Sequence, residues 1–418
     1  MKKWLFILLL SGGKLFSQSL SLDKVNELAR QNYPLIKQQD LINRTRDINI
    51  ENLQKNFLPQ FSLNGQASYQ SEVTKINIPI PGIKIESPSK DQYKVLADVN
   101  QLIYDGGAIK QQKQLQELNA TVEQQKVEVE LYKLEDRINQ LYLSVLYMDE
   151  QMAQVALIKK DLENGMRKVE AQVQNGVSFK SNLNVLKAEW LKADQRTIEL
   201  VATRKGLLET LALFINQPID EKTLFEKPLI TAATPSEAIH RPELQLFSAQ
   251  QKLFNSQDKL IDSRNLPKAS LFFQGGYGRP GLNFLNNNFD FFYTTGVRLN
   301  WNFGGLYTAK KEKELIKVNN NVVNVQKDLF LLNTNAQLKQ QQSEIDKIEQ
   351  LIAKDDEIIS LRESVKAAAN AQLENGVITA NDYLREVNAE DQARQTKITH
   401  EIQLIQAKIN YLTTLGNK

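Results

Sequence analysis

Leu102-Ile103-Tyr104-Asp105-Gly106-Gly107 and, far downstream, Asn300-Trp301-Asn302-Phe303-Gly304-Gly305 decide the fold. In each, a run of alternating polar and apolar residues stops at a Gly-Gly pair. A long stretch free of proline follows the first pair and another follows the second. Alternation with period two is the pattern of a strand with two unlike faces. A Pro-free stretch permits a long helix, because an interior proline costs about 3 kcal/mol. A strand that feeds a long helix through two glycines, twice in one chain, is the frame for everything around it.

Upstream of the first pair, Phe61, Leu63, Gly65, Ala67 and Tyr69 alternate with Ser62, Asn64, Gln66 and Ser68. Tyr93, Val95, Ala97, Val99 and Ile103 alternate with Lys94, Asp98 and Asn100. Upstream of the second pair, Ala269, Leu271, Phe273 and Tyr277 share a face. Phe291, Tyr293, Val297, Leu299, Trp301 and Phe303 share a face opposite Thr294, Arg298, Asn300 and Asn302. Four strands are expected, over 60–70, 92–104, 268–278 and 290–303. Their length, alternation and aromatic content suit strands of a membrane barrel. Four are too few to close one, but three chains would pool about twelve. A soluble sheet packed on a core is the competing reading. The connections 71–90 and 279–288 are rich in Pro, Gly and Asn, as exposed loops are.

Downstream of Gly107, Val127, Leu131, Leu134, Ile138, Leu141, Val145, Met148, Met152, Val155, Leu162, Met166, Val169 and Val173 step by fours and threes, with one position missed. That is a coiled-coil seam, with Gly165 its one weak point. After Asn175-Gly176 the stripe resumes at Leu186, Trp190, Ala193, Thr197, Leu200, Arg204, Leu207 and Leu211. The pair reads as a long helical hairpin over 108–215, matched by a second over 306–415. At 1.5 Å per residue, its first arm would reach about 100 Å.

The two halves share an ordered set of matches. Asn32-Tyr33-Pro34-Leu35 answers Arg241-Pro242-Glu243-Leu244, and Asn56-Phe57-Leu58-Pro59 answers Arg264-Asn265-Leu266-Pro267. Gln172-Val173-Gln174-Asn175-Gly176-Val177 answers Gln372-Leu373-Glu374-Asn375-Gly376-Val377. Leu211-Ala212-Leu213-Phe214-Ile215-Asn216 answers Leu412-Thr413-Thr414-Leu415-Gly416-Asn417. An internal duplication is expected, with repeats at 18–218 and 219–418, each a helix, two strands and a helical hairpin.

Composition narrows the class. The 418 residues carry a formal net charge of +3 and no basic block, so no nucleic-acid partner is expected. Mean hydropathy is −0.41, and after the N-terminus no apolar run reaches the roughly 20 residues of a membrane helix. A membrane span would have to be a β-barrel. Lys2 and Lys3, then Trp4 to Leu10, then Ser11-Gly12-Gly13 read as an export signal over 1–17. There is no cysteine, hence no disulfide frame, thiolate site or lipidated Cys. His240 and His400 stand far apart and read as structural. No phosphate loop, nucleophile elbow or metal-spaced acid cluster appears. Neither enzymatic activity nor a cofactor is expected.

Strand, loop, strand, Gly-Gly exit, long helix, glycine turn and return helix, all repeated, resembles the TolC family of outer-membrane efflux proteins. The resemblance covers the whole chain after the signal, and Tyr104-Asp105-Gly106-Gly107 and Phe303-Gly304-Gly305 are similar to that family's strand-to-helix junctions. It implies a mostly α chain with a small β part, with duplicated hairpins forming an α-barrel. It also implies a homotrimer whose short β-barrel lies in the outer-membrane lipid, with a long periplasmic part. Its partners would be a periplasmic adaptor and an inner-membrane pump, proton-driven (RND type) or ATP-driven (ABC type). Two rival readings are a soluble periplasmic coiled-coil scaffold and an adaptor. The alternating strands oppose the first, and the doubled hairpins oppose the second.

The resemblance also implies that the hairpin tips close the periplasmic mouth with rings of aspartate. Counted from Gly376, Asp382 falls on one such aspartate and Arg385 falls where another would stand. Leu373 and Ile378 occupy the places of a tyrosine and an arginine that lock the closed mouth, so that lock is absent. In the first tip, counted from Gly176, Asn182 stands where the resemblance would place an acid. Asp382 also reads as a residue of the helix N-cap. Gly176 and Gly376 read as helix-ending turn residues.

Overall fold

The computed structural model of the chain describes residues 19–75, 87–230 and 238–417. The expected signal segment and the middle of the first inter-strand loop lie outside the described residues. Elements follow in the order α1 (Leu22–Asn32), α2 (Ile36–Lys55), β1 (Gln60–Tyr69), β2 (Asp91–Tyr104), α3 (Ala108–Gln174), α4 (Lys180–Ile215), α5 (Pro242–Arg264), β3 (Lys268–Arg279), β4 (Asp290–Asn300), α6 (Gly304–Glu374) and α7 (Ala380–Leu415). The chain is mostly α with a small β part, as expected. One difference concerns the first half, which opens with two helices rather than one. Pro34 disfavours helical backbone at the residue before it, so α1 stops at Asn32 and α2 starts afresh at Ile36. A second is β4, which leaves the ladder at Asn300 instead of running to 303.

The chain forms two compact units, each drawing on both halves of the sequence. One comprises 38–126 and 243–328; the other comprises the described parts of 1–37, 127–242 and 329–418. In the first unit the strands form one antiparallel meander, β1-β2-β3-β4. Phe61 faces Val99, Val99 faces Phe273, and Phe273 faces Thr295, so one continuous register crosses the sheet. The only irregularity is a shift between Leu102 and Tyr104. Polar ladders join the helices of this unit in pairs. Asn43 and Asn49 of α2 meet Gln124 and Gln116 of α3 at 2.9 and 3.2 Å. Gln251 and Asn255 of α5 meet Asn324 and Asn320 of α6 at 2.6 and 3.1 Å.

The second unit is helical, and the expected seam is its core. Leu131, Ile138, Val145, Leu162 and Val169 of α3 are all fully buried. Val25 and Ala29 of α1, Leu211 and Ile215 of α4, and Ile402 and Ile409 of α7 pack on the same cluster as Leu134 to Leu146. Tyr142 is buried too, and its hydroxyl donates to the carbonyls of Leu20 and Glu226 at 2.6 and 2.7 Å. Leu20 forms a short parallel bridge with Phe225, the residue before Glu226. Burial drives the Tyr142 phenol well above its ordinary range. Arg204, an odd member of an apolar stripe, is buried but compensated. It binds Asp149 and the carbonyls of Glu221 and Thr223, which is what a buried charge requires.

Candidate functional site: the sheet and the hairpin tips

The register sorts the strand residues onto two unlike faces. One face carries Phe61, Leu63, Tyr93, Val95, Leu271, Phe273, Tyr277, Phe291, Tyr293, Val297 and Leu299, all of them exposed or partly so. Phe61, Leu299 and Phe291 are 78, 75 and 81 % exposed, so nothing among the described residues covers this face. Aromatic residues cluster towards its two ends. Tyr93, Tyr277, Phe289 and Phe291 stack at the end that carries the loops. Trp301 and Phe303 pair where the helices begin. An apolar belt between two aromatic girdles is how a barrel strand meets lipid. A sheet packed on a core would bury that face, so the competing soluble reading is not met.

The other face is wet. Asp98 accepts from Asn64 at 2.8 Å and from Gln274 at 2.5 Å. Two of its aromatic residues lie flat for want of a neighbouring side chain. Phe272 faces Gly296 and Phe292 faces Gly276 across the ladder. A Cβ on Gly276 would stand 2.6 Å from the Phe292 ring and from Leu96. Glycine here lets the rings lie along the sheet instead of standing out from it.

Both Gly-Gly pairs sit where a strand passes into a long helix, but they do different work. Gly106 and Gly107 hold φ of +73° and +83°, a conformation that favours glycine. A Cβ on Gly106 would also come within 2.7 Å of Leu266 Cβ and the Ser263 carbonyl. The Asp105 carboxylate accepts from the Gly107 amide at 2.8 Å, and α3 begins at Ala108. Downstream, Asn302 Oδ1 accepts from the Gly304 amide at 2.9 Å, one position earlier relative to the glycines. The helix therefore takes in Gly304 and Gly305. The placement of the Asp or Asn was the sequence signal for this difference, and reading the two junctions as equals passed over it.

The tips repeat one design. In each, the Asn175 or Asn375 residue is followed by glycine at φ +74° or +69°. Val177 N–H bonds Gln172 O at 2.8 Å and Val377 N–H bonds Gln372 O at 2.9 Å. The Gly176 and Gly376 amides bond the carbonyls of Val173 and Leu373 at 3.1 Å. This is the Schellman closure, so the turn reading of both glycines holds. The helices that follow start differently. Thr379 caps α7 in a reciprocal box: its hydroxyl accepts from the Asp382 amide, and the Asp382 carboxylate accepts from the Thr379 amide at 3.1 Å and hydroxyl at 2.7 Å. Those bonds, with Arg385 nearby, hold the Asp382 carboxyl below its usual range. Phe179 caps α4 with no side-chain bond and is 80 % exposed. Asn182 turns back to the Ser178 hydroxyl at 3.1 Å. Arg385 is well exposed and reaches Glu386 at 3.1 Å.

Behind the tips the two hairpins pack on each other. Leu162, Val169, Leu183, Leu186, Leu373 and Tyr383 belong to one buried cluster drawn from four helices. Gly165 has its reason here: a Cβ would lie 3.2 Å from the Tyr383 ring. Polar links surround the cluster. Lys366 of α6 joins Asp161 of α3 at 2.9 Å and also pairs with Glu390 of α7. Arg394 pairs with Glu390 at 2.7 Å and with Glu363. Burial alone would raise the Glu390 carboxyl, but the Lys366 and Arg394 hydrogen bonds outweigh it and hold it low. His400, read from sequence as structural, has Nδ1 2.5 Å from Asp355 of α6, and the His240 amide donates to Leu415 O at 2.6 Å. Among the described residues no group of His and acids could hold a metal ion.

No curated protein matches the chain by sequence. Solved structures do by fold. The outer-membrane channel OprN superposes with a TM-score of 0.67 at 12 % identity, over 95 % of this chain and 90 % of its own. CusC, described by its conformational changes on folding and transmembrane channel formation, gives 0.68 at 12 %, over 97 % and 96 %. The Campylobacter jejuni CmeC outer membrane channel gives 0.63 at 13 %, over 94 % and 85 %. These are channels, not enzymes. A sequence model of a family, the outer membrane efflux proteins, matches residues 25–217, which run from α1 through the first hairpin. Residues 25–217 are thus similar to the outer membrane efflux proteins, and the fold of such channels runs along nearly the whole chain.

Proposed function

We propose that this outer-membrane efflux protein is the exit duct of a tripartite efflux or export assembly. The observation that carries the reading is the uncovered sheet. Its apolar face, girdled by aromatics at both ends, needs lipid, while its other face needs water. A soluble scaffold would leave that apolar face in water, so it is the weaker reading.

Closure follows from the open edges. β1 and β4 each present an unpaired side, and three copies joined edge to edge would make a ring of about twelve strands. A second surface suits the same neighbour. Leu315, Val318, Val322 and Val325 step by three, four and three along α6 and are 61, 51, 49 and 66 % exposed. An exposed heptad seam calls for a partner helix, here from the next protomer. Channels of this family act as trimers with an adaptor and a pump.

The tips are assigned to the periplasmic mouth. Three Asp382 carboxylates, held charged by Thr379, would line it, with Arg385 and Asn182 beside them and Gly176 and Gly376 shaping the turns. The Arg385 cation would dilute the acidic ring. The two sequence halves are read as structural repeats, supported by paired α2–α3 and α5–α6 ladders.

The test is electrical. Purified protein added to a planar lipid bilayer should produce discrete, reproducible conductance steps, and Asp382→Ala should alter their size. Protein that leaves the bilayer silent, while folded by circular dichroism, would overturn the duct.

A further inference from the structure

The charges of the strand layer are sorted more sharply than its hydrophobicity. Between the two rims the apolar face carries no charged residue. At the loop rim, Asp91 and Arg279 neutralise each other in an ion pair. The wet face carries Lys94 and Asp98 on β2, Lys268 on β3, and Asp290 and Arg298 on β4. That is three cations against two acids, and both acids are engaged: the two Asp98 oxygens accept from side-chain amides, and Asp290, at the loop rim, accepts from the Phe291 amide. Among the described residues no carboxylate pairs with Lys94, Lys268 or Arg298. The Arg298 guanidinium instead lies 4.8 Å from the centre of the Phe272 ring, and that ring itself lies against Gly296. Arg298 is thus seated on a flat apolar support with its charge unspent, at a level near the helix end of the sheet, opposite Ser270.

We propose that the lumen of the strand layer is an anion-preferring section of the duct, with Arg298 its main determinant and Lys94 and Lys268 in support. The inference rests on the barrel reading, which turns the wet face inward and repeats each cation around the pore. A water-filled passage with low-dielectric walls focuses the field of unpaired charges and raises the local concentration of counter-ions. Rings of Arg or Lys are how anion pores are built. The solutes favoured there are small inorganic and organic anions; cations would meet a barrier at Arg298 whatever the acids at the tips do. Neither the four-strand pattern nor the family's aspartate rings lead to this preference. It comes from the register, which puts every free charge of the strands on one side.

The test is the reversal potential of single channels in a potassium chloride gradient, measured on detergent-purified protein of verified particle mass. Arg298→Gln is expected to shift the chloride-to-potassium permeability ratio towards potassium by at least about twofold. Arg298→Glu should shift it further, and Lys94→Gln should add to either. Arg298→Lys should restore the ratio, which a purely structural role on Phe272 would not. Channels of normal conductance whose reversal potential is the same in the wild type, Arg298→Gln and Arg298→Glu would overturn the inference and leave the duct standing. No conductance from any of them, wild type included, would overturn the duct and this inference with it.

Discussion

Gly106 is the residue on which the first strand-to-helix passage turns. It combines a positive φ with contact against Leu266 and Ser263, so neither the backbone nor the space admits a side chain. Gly106→Ala should therefore destabilise the protein by more than about 1 kcal/mol, read as a lower thermal midpoint. Gly304→Ala should cost less, because Gly304 begins a helix at ordinary φ. At the second tip, Thr379→Ala removes half of a reciprocal cap and should cost about 1 kcal/mol, while Thr379→Ser should be near neutral. Hydrogen exchange of the first turn of α7 would read this directly. Glu390 is nearly buried between Lys366 and Arg394. Glu390→Gln leaves two cations short of their acid and should cost about 3 kcal/mol. The pH dependence has a defined sign. Because the folded Glu390 carboxyl lies below its ordinary value of 4.5, its contribution is complete above that pH and is lost as pH falls through the lower, folded value. Lys366 is the mirror case. Burial lowers it, the Glu390 and Asp161 bonds raise it more, and its contribution fades only as pH rises past 10.5. A stability plateau should span neutral pH, with the acid edge missing in Glu390→Gln.

At the scale of elements, strands and hairpins were legible because each has a period. The strands fall within one residue of the expected bounds, except at the end of β4, where Asn302 turns the chain into its cap. The seam of α3 was legible because burial follows its threes and fours. What could not be read was contact between segments distant in sequence. Gly165 looked like a flaw in a helix, and only its neighbour Tyr383, from the other hairpin, makes it a fit. The Lys366–Glu390–Arg394 cluster joins residues from two helices to Asp161 of a third, and no spacing within one helix announces it. Thr379-x-x-Asp382 was readable in principle, since a hydroxyl followed three residues later by an acid is a capping box. It places Asp382 on α7 as a cap; the ring at the mouth remains our proposal. The faces of the sheet give the sharpest element-level prediction. Val297→Arg, on the girdled face, should cost about 2–4 kcal/mol in lipid. Thr294→Arg, on the wet face, should be tolerated. In a soluble sheet the two would cost alike, because both positions are exposed within one chain. The yield of detergent-extracted, folded protein separates the cases.

At the scale of the whole molecule, one chain is incomplete. Among its described residues, two sheet edges are unpaired, an apolar strand face is bare and a heptad stripe on α6 has no partner. Each deficit would be met by the arrangement we propose, three chains around an axis with lipid outside the strands. The most direct test is the protein mass of the particle extracted from outer membranes, with the detergent contribution subtracted. For a chain of 47.7 kDa including the expected signal segment, the account predicts a detergent-requiring particle of three protomers. A monomer or dimer recovered without detergent from the soluble periplasmic fraction would contradict it.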